Sequence, residues 1–203
     1  KNMNKINRRE RNTNEMCIEA LEEMLIAIDF CLGYQKKNDP LKWSVNINDI
    51  ERGVLGLPAA ALMFCIVDTI GSMYIDKVLE FNVDGTKKKE KKINEKRIRS
   101  FFWILNSDYF NLNLSEDDIS TIYNLRSRLL HNSYILKKTI LSLDSGEPFI
   151  EKRGDEVFFI HLISFLDACR SAVSKFKERI SDLEPKLVYN EPSININENY
   201  PTT

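Results

Sequence analysis

The chain has 203 residues, 43% of them apolar, and a formal net charge of −1. That much apolar material fills one core, so a single domain is the expectation. The near balance of charge excludes wholesale coating of a nucleic acid, and any polyanion would have to meet a local basic patch.

Residues 1–12 read as a polar, basic arm with no apolar stretch behind it suited to a signal peptide. A first helix is predicted over 13–36, with Thr13 as its N-cap, Met16, Ala20, Met24, Ala27 and Cys31 on one side, and Asn38-Asp39-Pro40 as its stop. Residues 41–53 read as loop or short turns, with Trp43 packing on the bundle. A second helix starts near Pro58, a residue tolerated in a first turn, and is expected to run to about Glu80. It is apolar on nearly every side, which places it in the centre of the domain. Its apolar run, residues 54–67, is shorter than the roughly 20 residues of a spanning helix, and Asp68 closes it. A soluble, cytoplasmic protein without membrane contact is therefore expected.

Asp84-Gly85 is a turn signal, after which the basic run 87–99 is expected to lead into a third helix ending near Asn106. Lys87, Lys88, Lys89, Lys91 and Lys92 could track an RNA backbone, with Phe101, Phe102 and Trp103 as stacking candidates. The competing reading is a solvated helix face followed by core aromatics. Ser115-Glu116-Asp117-Asp118 is a capping-box-like start for a fourth helix over 116–134. Ile119, Ile122, Leu125 and Leu129 form its core stripe, and Tyr123, Ser127, Leu130 and Tyr134 lie on a second, mixed surface. Between 139 and 160 short β-prone runs alternate with Gly-containing turns, a small hairpin or meander. A fifth helix carries Phe165, Ala168, Ala172 and Phe176 on one stripe to about Leu183, and 184–203 reads as a polar, flexible tail. The class expected is mainly all-α: a bundle of four to five helices in one domain, 13–183, with a β-hairpin inserted over 139–160.

Chemistry-bearing residues are few. Cys17, Cys31, Cys65 and Cys169 are scattered without C-x-x-C spacing and read as reduced core thiols. Two histidines and no clustered Cys or acidic ligands point to no metal site, and the phosphate-loop, dinucleotide and serine-hydrolase motifs are missing, so no cofactor is expected. His161 opens the last helix and reads as structural. Asp68, inside the most apolar helix, must be paired, hydrogen-bonded or protonated. It is expected to reach the fourth helix and orient Arg126 or His131, against the alternative of a purely structural partner. Asp29 is a weaker case of the same kind.

Arg126 and His131 stand five residues apart on the fourth helix, a displacement of about 140° around its axis, so long side chains could flank one groove without stacking. Metal-free RNA cleavage needs a base near neutral pH, which histidine supplies, and a fixed cation for the phosphate, which arginine supplies. The stretch Y-N-L-R-S-R-L-L-H-N, with Arg126 and His131 as its poles and Tyr123 and Leu125 before them, resembles the R-x4–6-H signature of HEPN domains. The resemblance implies an all-α bundle and a metal-independent endoribonuclease of defence or toxin type, leaving a 2′,3′-cyclic phosphate. It implies Arg126 as the phosphate-binding arginine and His131 as the catalytic histidine. It also implies a composite site across a homodimer and an antitoxin or regulatory protein as a further partner. Ser127 stands where the family usually has Asn or Asp and has a shorter reach. The family also contains catalytically silent members that serve as dimerisation or nucleic-acid-binding modules.

Overall fold

The computed structural model describes residues 13–34, 55–74, 78–83, 87–93, 98–132, 139–154 and 157–182. The order is α1 (Thr13–Gly33), α2 (Gly56–Ser72), β1 (Val78–Val83), β2 (Lys87–Lys92), a 3₁₀-helix (Ile98–Asn106), α3 (Glu116–Asn132), β3 (Thr139–Ser142), β4 (Ile150–Arg153), β5 (Val157–His161) and α4 (Leu162–Arg179), closed by a 3₁₀ turn (Ile180–Asp182). The molecule is mainly helical with a small sheet before the last helix, the class expected. The predicted arm 1–12, the segment 41–53 with Trp43, Tyr134 and the tail 184–203 lie outside the described residues.

Ala59 to Met63 are strong helix formers behind Pro58, and α2 follows from them. With few polar positions it has no side to give to water. It packs against α1, the 3₁₀-helix, α3 and α4, burying Ala59, Ala60, Met63, Phe64, Ile66, Val67, Ile70 and Gly71. Phe64 meets Phe102 at 6.1 Å and Phe165 edge-on at 5.3 Å, so one ring joins three elements. Helix α1 lays Leu21, Ile28 and Cys31 into the same core. Its polar side meets α4 through Asn14 Nδ2 donating to the Ile180 carbonyl at 3.1 Å, Lys177–Glu22 at 2.5 Å and Arg170–Asp29 at 2.5 Å. These partners run upward along one helix and downward along the other, so α1 and α4 are antiparallel. Asp29 is half-exposed and paired with Arg170, which corrects its expected burial.

The largest departure lies between α2 and α3. The second helix stops at Ser72, not near Glu80, and β1 follows. The lysine-rich run forms β2 rather than the start of a helix, paired antiparallel from Val78↔Lys92 to Val83↔Lys87. V-L-E-F-N-V is β-prone, and Asp84-Gly85 falls between the paired strands, where such a dipeptide is a strong hairpin signal. The third helix is of the tighter 3₁₀ type. It turns Phe101, Phe102, Ile104 and Leu105 into the core, and Phe101 lies against Gly71 of α2. Phe101 and Phe102 are therefore core anchors, not stacking platforms.

Helix α3 begins as its sequence predicts. The Ser115 hydroxyl donates to Asp118 Oδ2 at 2.6 Å and accepts from the Asp118 amide at 3.1 Å. Lys152 of β4 reaches Asp118 Oδ1 at 2.9 Å. Burial works to raise the Asp118 carboxyl, but the Ser115 and Lys152 contacts outweigh it and hold it below its ordinary value. A depressed carboxyl contributes stability that is present above the unfolded-state value, near ~3.9, and is lost as pH falls through the folded-state value. Asp118→Asn is expected to cost about 1 kcal/mol at neutral pH. The gap from wild type should close on acidification below pH ~4, which urea titrations across that range would measure.

The sheet before α4 is three-stranded, in the order β3-β5-β4. The expected hairpin is β4–β5, with Gly154 at φ 63° supplying the left-handed turn residue. β3 joins the other edge of β5 in parallel, a crossover pairing that local sequence does not announce. The segment after β3 returns over His161. A Cβ on Gly146 would lie 2.4 Å from His161 Nε2 and 2.5 Å from Cδ2 and Cε1, so the bare glycine rests on the ring. The imidazole is buried, with Nε2 3.7 Å from Glu151, and fits its expected structural role. Gly146→Ala should lower stability by about 1–2 kcal/mol, read as a shifted urea midpoint at unchanged slope.

Candidate functional site

Helix α3 places its motif by the same stripe that packs it. Ile119, Ile122, Leu125 and Leu129 are buried, which fixes the rotation of every residue between them. Tyr123 turns to the core, edge-on to Phe102 at 5.5 Å, and not into a groove between Arg126 and His131. Arg126 comes off the side facing α2, where its Nη2 donates to Asp68 Oδ2. The two side chains are 16% and 17% exposed, which makes this a largely enclosed ion pair rather than a surface one. The expectation that Asp68 reaches the motif helix holds, and the residue it reaches is Arg126.

The pair joins at one point. Arg126 Nε and Asp68 Oδ1 are both buried without a hydrogen-bond partner among the described residues. Burial pushes the Asp68 carboxyl above its usual value, and the charge and hydrogen bond of Arg126 pull it down without cancelling that effect. Cys65, one turn earlier on α2, was read from the sequence only as a reduced core thiol. Burial raises its thiol, Arg126 lowers it and Asp68 raises it, so it lies in the field of both. The spacing Cys65…Asp68 on one helical face was the signal for that proximity.

His131 stands in the last turn of α3 and is exposed, where the helix dipole favours a cation. It has no hydrogen-bond or ion-pair partner among the described residues. Ser127 is half-buried and makes no side-chain hydrogen bond among them. The structure thus brings Asp68 and Arg126 together, and His131 joins them in no hydrogen bond or ion pair among the described residues. Lys87, Lys88, Lys89 and Lys91 contribute backbone to β2, with side chains outside the described part. Lys92 is exposed beside Glu90. Their hairpin packs through β1 on the 3₁₀-helix.

Elsewhere, among the described residues, no three His, Cys, Asp or Glu side chains converge as a metal site would need. The four cysteines are unpaired, and burial raises each thiol. No described helix is long and apolar enough to cross a membrane. Comparisons with protein-family models, with curated proteins and with solved structures each find no match to this chain.

Proposed function

We propose that this chain is a HEPN-like, metal-independent endoribonuclease of defence or toxin type, acting in the cytoplasm. The observation that carries the reading is the exposure of His131: the motif histidine stands open to solvent on the helix that also bears Arg126. In the reaction proposed, His131 takes the proton of a ribose 2′-hydroxyl as the 2′-oxygen bonds to phosphorus. Arg126 neutralises the phosphate charge. The bond from phosphorus to the 5′-oxygen breaks, the leaving oxygen takes a proton from the His131 of a second copy, and a 2′,3′-cyclic phosphate remains. The second copy is part of the proposal because one histidine and one arginine supply a base and a clamp but no separate acid. RNA is the substrate, the lysines of β2 are candidate backbone contacts, and an antitoxin or regulatory protein is a candidate partner.

The test is cleavage of structured and unstructured RNA in EDTA by wild type, Arg126→Ala and His131→Ala. Each substitution is expected to lower the rate by roughly 10²–10⁴-fold. Equal rates in all three would sink the enzymatic reading. A second reading, a non-catalytic dimerising or nucleic-acid-binding module, is favoured by the enclosure of Arg126 against Asp68. It predicts salt-dependent RNA binding with no cleavage. A strictly monomeric protein in analytical ultracentrifugation would remove the composite site.

A further inference from the structure

An arginine that clamps a phosphate does so with a fork of parallel N–H groups. Arg126 does not present that fork to solvent. Its Nη2 is given to Asp68, its Nε is enclosed, and its side chain is 16% exposed. A carboxylate already occupies part of the guanidinium edge that a phosphodiester would use. His131, meanwhile, faces water about 140° further round the same helix. An anion touching both residues needs Arg126 to leave the α2 side and swing toward solvent.

The closed contact is also shallow. A bidentate pair would satisfy Nε with Oδ1, whereas here both atoms are buried without a hydrogen-bond partner among the described residues, so the closed contact is weaker than a full fork would be. The raised Asp68 carboxyl agrees with this, because the Arg126 charge falls short of offsetting burial. Cys65 is a further titratable group in the field of the pair, and burial raises its thiol, so it offers Arg126 no competing charge at neutral pH.

We infer that Asp68 is a gate on Arg126: its carboxylate holds the arginine inward and neutralised, and a phosphodiester gains Arg126 only by displacing it. The inference rests on the proposed RNA reading and adds its regulation. It reverses the simpler role in which Asp68 merely positions the arginine, and the two roles predict opposite effects of neutralising that carboxylate.

The experiment measures binding of a short 2′-O-methyl oligoribonucleotide, which cannot be cleaved through its 2′-oxygen, to the full chain by fluorescence anisotropy at fixed salt. Wild type, Asp68→Asn, Arg126→Ala and the double variant are compared. Asp68→Asn is expected to bind about 10-fold more tightly, near 1.4 kcal/mol, and the gain should vanish when Arg126 is also removed. Equal or weaker binding by Asp68→Asn, with Arg126→Ala still impaired, overturns the gate and leaves the RNA reading standing. A gain that persists without Arg126 is general electrostatics and overturns the gate as well. If Arg126→Ala binds and cleaves like wild type, the RNA reading itself fails and the gate with it.

A measurement on the wild type covers the case in which Asp68→Asn does not fold. NMR of the Arg126 Nε–H and the Asp68 carboxyl carbon during oligonucleotide titration should show both signals moving together. An Asp68 signal unchanged at saturation overturns the gate.

Discussion

Gly71→Ala is expected to destabilise the protein by about 2–3 kcal/mol, against the usual trend for glycine replacement inside a helix. In an open helical position the added methyl group gains about 1 kcal/mol of helix propensity. Here a Cβ at residue 71 would lie 2.3 Å from the carbonyl oxygen of Phe101 and 2.9 Å from its carbonyl carbon. Those are backbone atoms of the 3₁₀-helix and cannot rotate aside, so the 3₁₀-helix must move as a body. Phe101, Phe102, Ile104 and Leu105 would move with it, all of them buried. Overpacking of that kind exceeds the propensity gain. At this chain length the midpoint of thermal unfolding should fall by roughly 5–10 °C. Gly33→Ala is the matched control, because nothing among the described residues lies within 4 Å of a Cβ at that position. A Gly71→Ala protein as stable as the control would show that the close approach carries no load.

The second large effect concerns the Asp68–Arg126 pair as a structural element. Asp68→Ala should cost about 2–4 kcal/mol, since it leaves a largely enclosed guanidinium without its anion. Arg126→Met is expected to cost less, and its cost should depend on pH. Arg126 is what pulls the Asp68 carboxyl down against burial, so without it the folded-state value rises further. A raised carboxyl destabilises the fold in full above its folded-state value, and the penalty fades as pH falls from there to the lower unfolded-state value, so the cost of Arg126→Met should shrink on acidification. Replacing both, as Asp68→Ala with Arg126→Met, should recover most of the loss, because an apolar pair carries no desolvation cost. Urea unfolding of the four proteins completes the cycle. Additive single costs with no recovery would mean that the two side chains do not sense each other.

How much of this was legible in the chain follows from how local each signal is. The core face of α3 could be read because four aliphatics recur at helical spacing, and its start could be read because Ser115 and Asp118 satisfy each other within one turn. Asp68 was legible for a thermodynamic reason: a carboxylate in an apolar helix must find a partner, and Arg126 was one of two named. The β1–β2 hairpin was legible only at its turn, Asp84-Gly85, because the Lys- and Glu-rich run after it has the composition of a solvated helix and its pairing partner lies outside the run. The 3₁₀ form of residues 98–106 was equally hidden, since apolar spacing over so short a run does not separate it from an α-helix. The parallel seat of β3 depends on a crossover and has no local marker. The angle between Arg126 and His131 was contained in the sequence, but it allowed a shared groove, and only the packing of α3 against α2 shows that Arg126 turns to Asp68 instead.

The antiparallel seat of α1 on α4 has one more consequence. Asn14 at the start of α1 is hydrogen-bonded to Ile180 just past the end of α4, so the chain enters and leaves the described fold at nearly the same point. Tension applied through those two ends would first peel α1 from α4, opening the Lys177–Glu22 and Arg170–Asp29 contacts in turn like a zipper. The 3₁₀-helix and α3, which enter the chain between those two helices, would feel the load only after that seam had parted.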